Sequence, residues 1–152
     1  MLIADCLPVI IFDPHTKSLG LIHAGWKGTE QLIVAKTIQA MVRQFGSSPE
    51  EMIAAVGPSI RTESYRFKDV VQKMPDRISM WNNYLTNNTD GTISIDLISF
   101  NIDQMVGSGI ARSSIIDSGI DTAVDTRFFS HYRDSRTNEG DCGRFAFVVG
   151  MT

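Results

Sequence analysis

Cys6 and His23 are the residues of this 152-residue chain whose types and spacing best suit chemistry. A thiolate and an imidazole are both good ligands for Zn²⁺ or copper. Two apolar runs, 7–12 and 18–22, lie between them and are separated by the turn-forming segment Asp13-Pro14-His15. This pattern predicts an antiparallel hairpin in which Cys6 begins the first strand and His23 ends the second. The two side chains would then be neighbours that could share a metal ion.

A second motif with chemical potential is Gly25-Trp26-Lys27-Gly28, directly before a predicted helix. Glycine lets backbone N–H groups approach an anion at a helix start, and Lys27 would add a point charge. Farther along the chain, Arg133 and Arg144 could form a bidentate fork on phosphate. The alternative interpretation is a tight strand-to-helix turn with Trp26 in the core, and surface salt bridges for the two arginines.

The elements that must position these residues follow from the apolar pattern, in which helices alternate with strands. The predicted helices are 29–45, 68–81 and 97–106. The predicted strands, besides the hairpin, are 52–56, 92–95, 115–116 and 145–149, and the predicted polar loops are 82–91 and 134–141. This alternation predicts one layered α/β/α domain with a mixed sheet over residues 1–152.

Composition narrows the possible classes of protein. A hydrophobic fraction of 43% and a charged fraction of 20% are typical of a folded globular domain. The net charge of −3 provides no basic field for nucleic acid, and no apolar run is long enough to span a membrane. The two cysteines do not form a disulfide framework, which favours a reducing cytoplasm.

Three separated stretches carry a resemblance to a known family. They are 4–9 together with 23–28, then 56–60, and finally 127–134 followed by Gly143-Arg144. In this order they resemble the laccase-domain proteins, described both as multicopper polyphenol oxidoreductases and as zinc-containing purine nucleoside phosphorylases with adenosine deaminase activity. The resemblance covers nearly all of the chain.

The resemblance implies that Cys6 and His23 are catalytic, as two of three zinc ligands. The family's third ligand is a histidine upstream of the Ala-Asp-Cys motif, so the chain is expected to be the C-terminal two-thirds of the family domain, without the usual N-terminal third. His131 is the candidate for a substitute third ligand, with His15 and Cys142 as further possibilities. Lys27, Arg133 and Arg144 are expected to bind phosphate.

The expected function is that of a cytoplasmic, zinc-dependent purine nucleoside phosphorylase that takes purine nucleosides and phosphate and also deaminates adenosine. Departures from the family pattern are Lys27 in place of arginine, the sequence of 128–133, and Asp121-Thr122 in place of a Cys-Thr pair. One alternative is a copper polyphenol oxidase, although three histidines and two cysteines are too few for a multicopper cluster. Another is an inactive partial domain that forms a homodimer or associates with a separate N-terminal segment.

Overall fold

The computed structural model of the chain describes residues 1–70, 78–137 and 142–151. The strands are β1 (Leu2–Ile3), β2 (Leu7–Asp13), β3 (Ser18–Ala24), β4 (Ile53–Val56), β5 (Arg66–Phe67), β6 (Leu85–Asn87), β7 (Ile93–Ile95), β8 (Ile115–Asp117) and β9 (Phe145–Ala146). The α-helices are α1 (Trp26–Glu30), α2 (Ile33–Phe45), α3 (Leu97–Gly107) and α4 (His131–Thr137). Short 3₁₀ helices span Pro49–Glu51, Ile78–Tyr84 and Arg112–Ser114. The predicted α/β class is confirmed.

The central feature is a four-stranded mixed sheet with the strand order β3-β2-β4-β8. The predicted hairpin is confirmed, because β2 pairs with β3 from Leu7↔Ala24 to Asp13↔Ser18. Strand β4 runs antiparallel to β2, and β8 runs parallel to β4. The start of β2 and the ends of β3, β4 and β8 therefore meet at one end of the sheet.

The inner face of this sheet is the main hydrophobic core. Its alternate side chains are buried against α2, which contributes Val34, Ile38 and Met41. Each fully buried aliphatic side chain of this kind stabilises the fold by about 1.5–3 kcal/mol. Trp81 is also fully buried, and its indole N–H donates to Glu30 at 2.9 Å. Among the described residues, the structure contains no helix long and apolar enough to cross a membrane.

The outer face of the sheet is apolar but only partly covered. We define it as two rows of side chains that run across the strands. The first row consists of Leu19, Phe12 and Ile53, and the second consists of Leu21, Ile10, Ala55 and Ile116. Leu21 is 38% exposed, Ile53 43% and Ile116 62%. Near Pro8 the face is closed by Phe147, since a Cβ built on Gly57 would lie 2.7 Å from that ring. Apolar side chains on both faces are typical of a sheet that packs between two layers.

The prediction of one continuous helix over 29–45 is wrong, because the structure has two helices there, α1 and α2. Leu32 lies between them with a φ of 57°, in the left-handed region. The side chain of Gln104 donates to the Thr29 carbonyl at 3.2 Å and accepts from the Ala35 N–H at 3.3 Å. These contacts come from α3, far along the chain, and no periodicity in 29–45 reveals them.

Several shorter elements also differ from prediction. Loop 82–91 contains the end of a 3₁₀ helix and β6, which joins the small sheet β5-β7-β6. Of the predicted loop 134–141, residues 134–137 belong to α4 and the rest lie outside the described residues.

The predicted strand 145–149 is limited to β9, which pairs with the unpredicted β1, and Val148 is 83% exposed. In helix 68–81, residues 71–77 lie outside the described part, and a 3₁₀ helix begins at 78. Such short elements depend on distant pairing partners.

A buried carboxylate connects three segments at the open end of the sheet. Asp5 lies between β1 and β2 with a φ of 79°, which aspartate tolerates better than most residues. Its two carboxylate oxygens accept hydrogen bonds from the Thr122 hydroxyl at 2.7 Å and the Tyr132 N–H at 2.6 Å. Its carbonyl accepts the Ile60 N–H at 3.0 Å. One residue thus holds the turn that carries Cys6 against the start of α4.

We predict that Asp5→Ala lowers the free energy of unfolding by about 3 kcal/mol, because it leaves two buried donors without an acceptor. Asp125→Ala is the matched control, since it removes an ion pair whose arginine, Arg127, is 76% exposed, and it should cost less than about 1 kcal/mol. Urea unfolding followed by circular dichroism measures both. Equal losses of unfolding free energy in the two variants would show that the buried hydrogen bonds of Asp5 stabilise the fold no more than the exposed ion pair does.

Candidate functional site

A cavity of about 460 Å³ lies at the end of the sheet where β2 begins and β3 and β4 end. We call it the Cys6 cavity. Its wall consists of Ala4, Asp5, Cys6, Gly25, Trp26, Ile60, Tyr65, Phe67, Leu97, His131, Tyr132, Ser135 and Arg136. The conformations of the turn before β2 and of α4, both held by Asp5, therefore determine its shape.

Cys6 and the glycine turn after β3 are in direct contact. A Cβ built on Gly25 would lie 2.8 Å from the Cys6 sulfur, so any side chain at this position would displace the thiol. The turn before β2 and the turn after β3, which are separate motifs in the sequence, thus form one corner of the cavity. The half-buried thiol of Cys6 is part of the cavity wall.

His23 lies close to this corner but on the outer side of the hairpin. It pairs with Pro8 across the strands, and its side chain is exposed. Residues that face each other in an antiparallel pair project to the same side of the sheet. His23 therefore projects to the same side as Pro8, which comes two residues after Cys6 in the sequence. The register brings the two predicted ligands to the same end of the hairpin. That they share a metal ion stays a prediction.

The candidates for a third ligand occupy different places. His131 is part of the cavity wall together with Cys6. His15 is in the β2–β3 turn at the opposite end of the sheet, 3.1 Å from the Glu51 carboxylate. Cys142 hydrogen-bonds the Gly143 carbonyl at 3.2 Å, and burial raises the pKa of its thiol, which disfavours the thiolate form that binds metal.

A catalytic zinc ion usually has three protein ligands. The described part of the chain contains no group of three or more histidine, cysteine, aspartate or glutamate side chains arranged to hold a metal ion. By themselves, the residues present do not fit a complete zinc centre.

An aromatic cluster forms another side of the cavity. The ring centroids of Tyr65 and Phe67 are 4.9 Å apart, and Tyr132 lies 6.1 Å and 5.9 Å from them, all in edge-to-face geometry. Burial raises the pKa of Tyr65, with further contributions from Cys6 and Asp5, so its phenol stays protonated. Tyr132 donates its hydroxyl to the Arg66 carbonyl at 2.8 Å. The cluster is thus an apolar surface on which the Tyr132 hydroxyl is already hydrogen-bonded to a backbone carbonyl.

Helix α4 forms the polar edge of the cavity. His131, Tyr132, Ser135 and Arg136 are all part of the wall, which is the i, i+1, i+4, i+5 pattern of one helix face. The Arg136 guanidinium carbon is 3.6 Å from the Tyr132 ring centroid. Tyr132, Ser135 and Arg136 were not predicted as site residues. For Ser135 and Arg136 the reason is the predicted loop 134–141, which gave these residues no helix face. An aromatic residue and an arginine four positions apart were the available helical signal.

Arg133 faces away from the Cys6 cavity and holds its neighbouring loop. Its Nε donates to Asp134 at 2.7 Å, and its two Nη atoms donate to the carbonyls of Thr122 and Phe128, both at 2.9 Å. Burial alone would raise the pKa of Asp134, but hydrogen bonds from the Ser130 N–H and from Arg133 keep it below its usual value. Arg133 and Asp134 thus form an ion pair whose role is to hold the local structure.

The other two residues predicted to bind phosphate also lie outside the cavity wall. Arg144 donates from Nη1 to the carbonyls of Cys142 and Gly143 at 2.9 Å and 2.8 Å. Lys27 is exposed, with its ammonium 5.3 Å from the Trp26 ring centroid. The structure therefore does not bring Lys27, Arg133 and Arg144 together with Cys6 around this cavity. Their phosphate-binding role stays a prediction.

Comparison with known proteins gives consistent results. The chain is 32% identical over 150 residues to purine nucleoside phosphorylase YlmD of Bacillus subtilis. The alignment covers 97% of this chain and 52% of the relative. It is 33% identical to purine nucleoside phosphorylase of Deinococcus radiodurans, with 97% of this chain and 54% of that protein. The chain thus spans about half the length of the curated relatives it matches.

Solved structures show the same similarity. YlmD from Geobacillus stearothermophilus superimposes with a TM-score of 0.80 at 28% identity, over 94% of this chain and 53% of that one. The Bacillus licheniformis protein YfiH gives a TM-score of 0.78 at 31% identity over the same shares. The family model described as multi-copper polyphenol oxidoreductase laccase matches residues 1–152. Since that match extends over the whole sequence, the chain belongs to this laccase-domain family.

Proposed function

We propose that this chain provides the active site of a purine nucleoside phosphorylase that acts in the cytoplasm. The observation that carries the proposal is the Cys6 cavity, where the turns that carry Cys6 and Gly25 meet an aromatic surface and a polar helix edge. Two relatives that align with 97% of the chain are named for this reaction. The relatives are about twice as long, so the reaction is assigned here as a proposal.

The size and lining of the cavity support a nucleoside as the ligand. Its volume of about 460 Å³ is within the range of small-molecule sites, about 300–1,000 Å³. A purine base is flat and apolar on its faces, which suits the surface formed by Tyr65, Phe67 and Tyr132. The ribose and phosphate require hydrogen-bond donors, and the α4 edge offers these through His131, Ser135 and Arg136.

In phosphorolysis a phosphate oxygen forms a bond to the ribose anomeric carbon while the bond from that carbon to the purine nitrogen breaks. The electron pair of the broken bond leaves with the base, and positive charge develops on the sugar. The chain can contribute by holding phosphate and nucleoside in line, because orientation supplies a large part of the rate enhancement in such displacements. Adenosine deamination, which the family resemblance also implies, would use the same base-binding surface.

We further propose that Cys6 and His23 contribute to a zinc site, with copper as the alternative metal. The support is their place at one end of the hairpin, together with a family description that names a metal. With Cys6 and His23 alone, a zinc ion would lack the third protein ligand that catalytic zinc usually has, so the proposal requires a further ligand.

The exposed outer face supports a second proposal, that the chain functions in association with further polypeptide, either a second copy or a separate segment. Leu21, Ile53 and Ile116, with Ile10 and Phe12 of β2 between them, form a connected apolar surface across β3, β2, β4 and β8. Exposed apolar patches of this kind mark protein–protein contacts. A chain that stays inactive alone and becomes active in an assembly would fit this proposal.

For the reaction itself, we expect the purified protein with inosine, guanosine or adenosine and phosphate to release free base and ribose 1-phosphate. Cys6→Ala should lower kcat by about 100-fold or more, as loss of a catalytic group does. Cys142→Ala is the matched control, because it removes the chain's other thiol outside the cavity wall, and it should leave kcat unchanged. Chromatography of bases and nucleosides also detects inosine formed from adenosine. A folded protein or assembly that releases no base would contradict the proposal.

For the metal, we expect elemental analysis of the purified protein to find zinc. The zinc content should fall in Cys6→Ala and in His23→Ala and stay unchanged in His15→Ala, since His15 lies at the other end of the sheet. His131→Ala tests the candidate third ligand, and unchanged zinc in that variant would exclude it. Stoichiometric copper instead of zinc, together with oxidation of phenols, would favour the oxidase alternative.

For association, we expect light scattering after gel filtration to show a species larger than one chain, or a monomer that binds a hydrophobic dye. Replacing Ile116 with lysine should dissociate the larger species, because a charge on the outer face is costly to bury. Val124→Lys is the control, since Val124 is 71% exposed and lies outside this face. A monomer that binds no dye would reject the proposal.

A further inference from the structure

We propose that Arg136 is the phosphate-binding residue of the Cys6 cavity. This inference deepens the proposed function and rests on it to the extent that phosphate is the second substrate. It assigns to one arginine of α4 the role that the sequence motifs suggested for Lys27, Arg133 and Arg144.

The Arg136 side chain is held in place before any ligand binds. Its guanidinium lies over the Tyr132 ring at 3.6 Å, and its Nη1 donates to the Tyr132 carbonyl at 2.6 Å. Within the described residues, its remaining N–H groups form no hydrogen bond, so they are available to an anion. A guanidinium that is stacked on an aromatic ring loses little conformational freedom when it binds a ligand.

The charge of Arg136 is not neutralised within the described part of the chain, where no carboxylate pairs with it. Among the described residues of the cavity wall the acidic one is Asp5, and its two oxygens already accept hydrogen bonds from Thr122 and Tyr132. Arg133, in contrast, is paired with Asp134 and donates to two backbone carbonyls. Among the described residues of the cavity wall, Arg136 is thus the arginine whose charge remains available to attract an anion.

The neighbours of Arg136 complete a site suited to a tetrahedral anion. Ser135 and His131 belong to the same wall and can add a hydroxyl donor and an imidazole N–H donor. Three donors along one helix edge can contact different oxygens of one phosphate group. Arginine supports such contacts through hydrogen bonds to a charged partner, which are stronger than neutral ones.

The first test measures binding without any reaction. Inorganic phosphate should raise the melting temperature of the wild-type protein relative to sodium chloride of equal ionic strength. The shift should be absent in Arg136→Gln and partly retained in Arg136→Lys. Arg43→Gln is the matched control, because it removes an exposed arginine of α2 that is not part of the cavity wall, and it should keep the full shift.

The second test uses the reaction. Arg136→Gln should raise the KM for phosphate by about 10- to 100-fold, the loss expected from hydrogen bonds to a charged group, with little change in the KM for nucleoside. A purely structural role would instead raise both constants or lower stability. Arg136→Met keeps an unbranched side chain on the Tyr132 ring without the charge, and it should behave like Arg136→Gln.

The outcomes separate this inference from the proposed function. A phosphate-induced shift that persists in Arg136→Gln, or that is lost in Arg144→Gln instead, would overturn the assignment of Arg136. A wild-type melting temperature that phosphate does not change would also overturn it. If the protein shows the Arg136-dependent shift but releases no base from nucleosides, the anion site stands and the proposed reaction falls.

Discussion

The hydrogen bonds of one buried carboxylate determine how the cavity is built. Asp5 connects the turn before β2, the segment after β4 and the first turn of α4, which come from opposite ends of the chain. Because both carboxylate oxygens accept short hydrogen bonds, the position of Cys6 relative to α4 is defined. Gly25 adds the second constraint, since only the absence of a side chain lets β3 end next to the Cys6 sulfur.

Two properties of the described residues bear on the proposed association with further polypeptide. The outer face of the mixed sheet carries partly exposed aliphatic side chains, and the described residues contain no group of three or more side chains arranged to hold a metal ion. A second layer over the outer face would bury the aliphatic side chains and could bring further donors toward His23, which projects from the same side. A single physical event, association over this face, could thus change both stability and metal binding.

The distribution of arginines shows why residue type alone does not define a binding site. Arg133 and Arg136 are three residues apart on the same short helix, but they face different surroundings. Arg133 donates hydrogen bonds to the Asp134 carboxylate and to two backbone carbonyls, whereas Arg136 lies on an aromatic ring at the cavity edge. The orientation of α4 decides this difference, and the hydrogen bond from the Tyr132 N–H to Asp5 fixes that orientation.

The sequence by itself determined the α/β class, the β2–β3 hairpin and the family, because these follow from local periodicity, turn residues and contiguous motifs. Tertiary structure alone decided the break between α1 and α2, the pairing of β1 with β9, and which side chains of α4 reach the cavity. These features depend on partners distant in sequence, such as Gln104 for Thr29 and Asp5 for Tyr132. Local patterns carry no information about such contacts, since their free energy arises only when the chain is folded.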